Sequence, residues 1–527
     1  MDISAMSKEP VTNSMNGAQS AVRTLLAAGV DTCFANPGTS EMHFVAALDQ
    51  IPGMRCVLGL QENVVTGMAD GYYRIAGKPA CTLLHCGPGL ANGMANLHNA
   101  RRAGSGIVNI VGDQATYHRP YDAPLTADTD AMARTVSNWV RTSGRASEVG
   151  KDLAAAIQVA KTSPGYIATL VLPSDTSWDS GGATGEVLPP VSPPPIDPFA
   201  VETAARTLRD NDDVLILMAG PGVSIACQRL AWRIASGTGA SLMADYVNAR
   251  IPRGRGRLPL ERVPYNSDMA RKLLSRFGHI ILVNAKPPVG FFAYPGKPSI
   301  QHHPEAKIHV LSRPDQDAEF ALKALVDALG VADAEFPVGE AKPEIGSGTP
   351  TSEGFAQMVA AVMPAAAIIS DESLSFGRSF YKHTFCAPEH DWLPLTGGAI
   401  GDGLPIATGA AIGADGQRRV ISLQADGSAM YSLQALWTQA REELPCTTVI
   451  LNNRKYNILI GEYEGVGARP GATAMSMLDL SNPDLDWVRI ANGLGVEAAR
   501  ASTLEGCADL MKQSFGQPAP FLIELQI

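Results

Sequence analysis

The chain has 527 residues, 45% of them hydrophobic and 18% charged, and a formal net charge of −10. At roughly 150 residues per domain that length is too great for one hydrophobic core and points to about three domains. The composition argues against a disordered chain, and the negative balance against a clustered basic face for nucleic acid or an anionic membrane.

Residues 1–16 are polar, with no apolar signal region, and no uncharged apolar run approaches membrane-spanning length, so a soluble cytoplasmic protein is expected. Cys33, Cys56, Cys81, Cys86, Cys227, Cys386, Cys446 and Cys507 stand singly, without a C-x-x-C pair. They read as reduced core residues.

Two stretches read as linkers: the proline-dense 186–198 (EVLPPVSPPPIDP) and the Gly-, Pro- and Glu-rich 332–350. The expected domains are therefore 1–185, 199–331 and 351–527. Each alternates apolar β-type runs with amphipathic helical runs, which predicts an α/β fold of three parallel sheets flanked by helices.

In the first domain a helical run over 21–28 stops at Gly29, a strand follows at 32–35, and Asn36-Pro37-Gly38 turns the chain into another helix. A strand at 55–59 feeds a helix that opens near Gln61-Glu62, and a strand at 80–84 passes through His85-Cys86-Gly87-Pro88-Gly89 into a helix. Ligand crevices of parallel sheets lie outside the carboxyl ends of the strands, so Asn36 to Thr39, Glu62 and His85 have access to one pocket.

In the middle domain Gly220-Pro221-Gly222 follows the apolar run 214–218, half of a dinucleotide fingerprint without a convincing third glycine or later acid. Phe291, Phe292 and Tyr294 either line a pocket or pack the domain, and His302-His303 reads as surface or as outer support behind a site, because adjacent residues diverge on a strand and no third ligand is evident.

The third domain holds the sharpest unit: a strand at 419–424, the turn Ala425-Asp426-Gly427-Ser428, a helix to about 443, and a strand at 446–451 ending in Asn452-Asn453. Met430, Leu433, Trp437 and Ala440 recur at helical spacing and are expected to face the sheet as core. Asp426 and Asn453, 27 positions apart at neighbouring strand ends, suit a metal and a phosphate at a helix N-terminus. Mg²⁺ takes hard oxygen ligands and shares them with a diphosphate, here from Asp426, Asn453 and the carbonyl of Lys455. Taken alone, an Asp-Gly-Ser turn is an N-cap and Asn-Asn a turn; their spacing and order together carry the reading.

The D-G-S, helix, N-N arrangement is the thiamine-diphosphate signature, and DGSAMYSLQALWTQAREELP with LNN resembles benzoylformate decarboxylase. NPGTSE at 36–41, LQENVVTGMADGY at 60–72, Leu84-His85 and GGAIGDGLPIATGAAIG at 397–413 resemble the same family, which shares its ground plan with acetolactate synthase. The resemblance covers the first and third domains well and the middle one loosely. It implies that Glu62 contacts N1′ of the aminopyrimidine and favours the imino tautomer. It implies further that the Gly398 carbonyl meets the 4′-amino group, that Ile400 is the wedge holding the cofactor bent, and that Ser375, Gly427, Ser428 and Tyr431 lie on the diphosphate side. His85 matches a histidine near the reacting carbon and Thr39 an active-site serine. Phe291 stands where that enzyme has a second histidine, pocket positions fall on Ile458 and Glu462, and Ala425 replaces a glycine.

The activity so implied is a thiamine-diphosphate- and Mg²⁺-dependent decarboxylase or carboligase acting on a 2-oxo acid, aldehyde or hydroxyketone. A homodimer or homotetramer with sites shared between subunits is implied too, with no nucleic-acid or membrane partner. The other classes weighed are an FAD-dependent 2-oxo acid oxidase, for which the middle domain shows too little of the binding pattern, and a non-catalytic thiamine-diphosphate-binding protein, against which the retained Glu62 argues.

Overall fold

The computed structural model describes residues 14–337 and 343–527; the polar stretch before residue 14 and the centre of the second linker lie outside the described residues. Three sheets form the frame, each flanked by helices. The first is built from β1 (Thr32–Asn36), β2 (Arg55–Leu58), β3 (Ala80–Leu84), β4 (Ile107–Asp113), β5 (Trp139–Thr142) and β6 (Ile167–Pro173) in the order β2-β1-β3-β4-β6-β5, all parallel.

The middle sheet uses β7 (Val214–Met218), β8 (Ser241–Ala244), β10 (Glu261–Arg262), β11 (His279–Val283) and β12 (Lys307–Ser312), ordered β10-β8-β7-β11-β12. The third is β17-β18-β16-β15-β13-β14-β9, from β13 (Ala367–Glu372), β14 (His390–Pro394), β15 (Val420–Ala425), β16 (Cys446–Asn452), β17 (Glu497–Ala501) and β18 (Phe521–Gln526). Its edge is β9 (Ile251–Arg253), which leaves the middle segment of the chain to pair antiparallel with β14.

Strand order decides where a crevice opens. In the first sheet the chain leaves β1 towards β2 and leaves β3 towards β4, so the connections part between β1 and β3. In the third sheet they part in the same way between β13 and β15. At such a switch point no crossover helix covers the strand ends, which leaves a groove for a ligand.

The first and third domains meet through two helices, Glu62–Ala76 and Gly403–Gly413. Gln61 caps the first by accepting from the backbone N–H groups of Asn63 and Val64, and left-handed Gly77 ends it. The second is apolar all round and buried from Gly403 to Ile412, as a helix enclosed on every side must be. Glycines let the two backbones touch: a Cβ on Gly71 would stand 2.2 Å from Ile406 O, and one on Gly409 1.9 Å from Met68 O.

The element bounds differ from the sequence reading mostly by a residue. The first helix starts earlier, at Gly17, because Asn16 and Gln19 form a capping box. The helix expected to run from the Asp-Gly-Ser turn to about 443 is two, Asp426–Ala429 and Gln434–Arg441. The break shifts the core stripe: Ser432, Ala435, Leu436 and Gln439 are buried, whereas Met430, Leu433, Trp437 and Ala440 are only half-buried. Seven of the eight cysteines are buried and Cys56 is exposed, which corrects its reading as core. His302 is half-buried and His303 exposed.

Candidate active site

The first half of the site occupies the switch point of the first sheet. Glu62 opens its helix half-buried, and one carboxylate oxygen accepts from Asn92 Nδ2 at 3.0 Å. His85, just past the end of β3, stands at the N-cap position of the helix Cys86–Ala103, its side chain making no capping bond. A Cβ on Gly89 would lie 3.2 Å from Glu62 Oε1 and 3.4 Å from His85 Cβ, so both residues flank that glycine.

His85 is held from behind. Its Nδ1 lies 3.0 Å from Oε2 of Glu41, a carboxylate only 2% exposed. Glu41 Oε2 also accepts from the backbone N–H of Gly38 at 2.8 Å, and Ser40 donates to Oε1. With Nδ1–H donated to Glu41, Nε2 is the imidazole nitrogen left for a ligand. Thr39 begins the short turn Thr39–Glu41 and is exposed; its neighbour Ser40 is the hydroxyl that reaches His85, at 3.1 Å.

The second half lies at the switch point of the third sheet, where Ser375, Asp426, Gly427, Ser428, Asn453, Lys455 and Ile458 line one pocket. Asp426 is 2% exposed; its oxygens accept from the N–H groups of Gly427 at 2.9 Å and Arg454 at 2.7 Å. Burial nevertheless raises its pKa above the usual carboxylate value. The Ser428 hydroxyl is buried without a hydrogen-bond partner, as expected of a group reserved for a ligand. A carboxylate, an amide and an orphaned hydroxyl at a helix start fit a hard cation with a phosphate. A Cβ on Gly427 would stand 2.4 Å from the Tyr456 ring, so a larger residue there would displace that ring.

Between the halves runs the loop that carries Gly398 and Ile400. Glu372, fully buried at the end of β13, accepts from the N–H groups of Gly401 at 2.7 Å and Gly403 at 2.8 Å. Burial outweighs those bonds and pushes its carboxyl up to about 7. From the first domain Asn99 Nδ2 donates to Ala399 O at 2.8 Å, and Arg74 to Pro394 O at 2.9 Å. Gly398 has φ +81, and a Cβ on it would stand 2.4 Å from Phe291 Cζ, so Phe291 of the middle segment packs on this loop. Tyr294 donates to Glu462 Oε2 at 2.8 Å, which ties the same segment to the helix Asn457–Gly465. Tyr431 is 53% exposed beside Gly401.

Thus Glu62 and His85 come together in one half, and Ser375, Asp426, Gly427, Ser428, Asn453 and Lys455 in the other. Among the described residues no hydrogen bond or ion pair joins the two sets. Sequence reasoning assigned no role to Glu41, Ser40, Asn92, Glu372 or the Tyr294–Glu462 bond. For Glu41 one signal was available: an acid three positions after Gly38 reaches back to cap the turn.

Two crevices at the switch points of separate parallel sheets, one with a half-buried carboxylate and the other with a metal and phosphate donor set, define a two-part cofactor site of an α/β enzyme. Residues 15–133 match the family model of the thiamine pyrophosphate enzyme N-terminal TPP binding domain, and 377–525 that of the C-terminal TPP binding domain. The chain is 46% identical over 516 residues to a putative acetolactate synthase large subunit, IlvX, of Mycobacterium tuberculosis, covering 97% of this chain and 99% of that protein. Identity to benzoylformate decarboxylase of Pseudomonas aeruginosa is 29%, over 94% of this chain and 96% of that one. The fold matches a Rhodococcus jostii thiamine diphosphate-dependent 4-hydroxybenzoylformate decarboxylase with a TM-score of 0.84 at 24% identity, covering 97% and 99% of the two chains. This chain belongs to the thiamine pyrophosphate enzymes, in the family of acetolactate synthase and benzoylformate decarboxylase.

Proposed function

We propose that the protein is a Mg²⁺-dependent 2-oxo acid decarboxylase or carboligase, which loses CO₂ from its substrate and either releases an aldehyde or joins the remaining acyl unit to a second carbonyl. The observation that carries this reading is that Glu62 and His85 both flank Gly89 at the switch point of the first sheet. A module that only bound the cofactor would need neither group there. Thiamine diphosphate, when bound, supplies the electron sink for decarboxylation.

Half-buried Glu62 would hold a proton at the aminopyrimidine N1′. The Gly398 carbonyl would take the 4′-amino group, and Ile400 would support the cofactor. Asp426, Asn453 and the Lys455 carbonyl would hold Mg²⁺, while Ser375, Gly427, Ser428 and Tyr431 would serve the diphosphate. His85 exchanges a proton with the bound substrate through Nε2, and exposed Thr39 stands at the entrance to its pocket.

The two sets of site residues, which among the described residues no hydrogen bond or ion pair joins, suit a homodimer or homotetramer in which each site is completed across subunits. The exposed Leu60, Tyr431, Leu459 and Met477 suit such an interface. Domains 1–185, 199–331 and 351–527 then serve pyrimidine binding, support and diphosphate binding. Cysteines that stand singly, without a C-x-x-C pair, support a cytoplasmic setting; among the described residues no helix is long and apolar enough to cross a membrane.

The test is mass spectrometry of products after incubation with thiamine diphosphate, Mg²⁺ and a panel of 2-oxo acids that includes pyruvate and benzoylformate. Aldehyde alone identifies a decarboxylase and a hydroxyketone a carboligase; silence with the cofactor bound overturns the 2-oxo acid reading. Glu62→Gln should retain measurable cofactor binding and lose roughly 10²–10⁴-fold in turnover.

A further inference from the structure

Behind the imidazole of His85, three different metal-ligand types converge. A carboxylate oxygen of Glu41, Nδ1 of His85 and Sγ of Cys86 all lie within 4.8 Å of one another. At their centre is the Ser40 hydroxyl, 3.1 Å from His85 Nδ1, 3.1 Å from Cys86 Sγ and hydrogen-bonded to Glu41. A single small oxygen held by a carboxylate, an imidazole and a thiol marks the point where a cation would bring the same three groups inward. Glu41 and Cys86 are 2% and 1% exposed, so little water competes for them.

Sulfur, nitrogen and oxygen donors in one cluster select a borderline or soft cation and disfavour Mg²⁺, which demands hard oxygen ligands and keeps several waters. We infer that Glu41, His85 and Cys86 form a second, inhibitory metal site for Zn²⁺ or a similar borderline divalent cation, separate from the oxygen-rich site at Asp426.

Binding balances as follows in protons. The Cys86 thiol proton leaves to solvent, the imidazole proton moves from Nδ1 to Nε2, and the Ser40 side chain rotates to vacate the centre. Cys86 ligates as the thiolate, so the metal has to displace that proton. Once Nδ1 is ligated, His85 keeps its remaining proton on Nε2 and no longer shuttles it. The binding itself rests on geometry alone; the inhibition rests on the proton-transfer role proposed for His85.

The site is tested on the full chain with thiamine diphosphate and excess Mg²⁺ occupying the oxygen-rich site. Added Co²⁺ should produce a near-ultraviolet thiolate-to-cobalt charge-transfer band, which Cys86→Ser abolishes and Cys56→Ser leaves in place. X-ray absorption of the Zn²⁺-loaded wild-type chain needs no variant, and should show one sulfur at about 2.3 Å with nitrogen and oxygen at about 2.0–2.2 Å. A shell of nitrogen and oxygen only, or a band that survives Cys86→Ser, overturns the site. Sulfur ligation without loss of turnover keeps the metal site and refutes its inhibitory effect, and with it the role of His85.

Discussion

Glu41 and Gly112 fit one another as charge and hole: a Cβ on Gly112 of β4 would stand 1.6 Å from Glu41 Oε1. Any larger residue at 112 therefore pushes the carboxylate off His85. Gly112→Ala should cost about 1–3 kcal/mol of stability through overpacking and release the imidazole from its Nδ1–H tautomer. ¹⁵N NMR of the ring reads the tautomer and denaturant unfolding the stability; an unchanged tautomer would show that Glu41 does not set it. Glu41→Gln should likewise lower turnover, by roughly 10²-fold if His85 acts as acid and base.

The contact of the helices Glu62–Ala76 and Gly403–Gly413 leaves no room for side chains at its glycines. Gly409→Ala, whose new carbon would start 1.9 Å from Met68 O, forces the helices apart and shifts the first domain against the loop that carries Gly398. We expect a loss of about 1–3 kcal/mol with weakened cofactor binding. Isothermal titration with thiamine diphosphate checks the second part, and wild-type affinity in a destabilised variant would separate the helix contact from the cofactor site.

His390 is 4% exposed, with Nδ1 2.7 Å from Pro388 O, and burial followed by the charge of Arg253 lowers its pKa to about 3. The unfolded chain takes up that proton near pH 6.5, the folded chain only near 3. Stability from this group is therefore complete above the unfolded value and is lost as pH falls from about 6.5 towards 3, at about 1.4 kcal/mol per pH unit for one proton. His390→Leu should flatten the acid limb of the stability profile. An identical slope in the variant would reject the assignment.

Asp402 is buried 3.8 Å from Arg74, in a cluster with Asp70 and Glu372, and burial raises its pKa well above the ordinary value despite the guanidinium. A carboxyl raised in the folded state contributes stability at low pH that is lost as pH climbs from its unfolded value, near 4, towards its folded one. Asp402→Asn keeps the shape without the charge, and should match or exceed the wild type in thermal unfolding at pH 8. A large loss there would mean that Arg74 needs the Asp402 anion.

The parts of the protein legible in its sequence are those fixed by neighbours along the chain. β3 spans the residues its apolar run marks, Glu62 is the first helical residue after a capping Gln61, and Asp426 and Asn453 stand at the ends of adjacent strands. Apolar periodicity, end caps and glycine turns are local, so the α/β class and the family motifs could be read directly. Periodicity does not encode which strand lies beside which, or what crosses from a distant segment.

That is why tertiary structure alone put Glu41 behind His85, set Cys33 level with both Cys56 and Cys81 across three strands, and laid Phe291 on Gly398. It also broke the helix after Ala429 and turned its core face from Met430 and Trp437 to Ala435 and Leu436. Each of these depends on sheet order, register or the space left by a distant glycine. Those properties exist only once the chain has closed on itself.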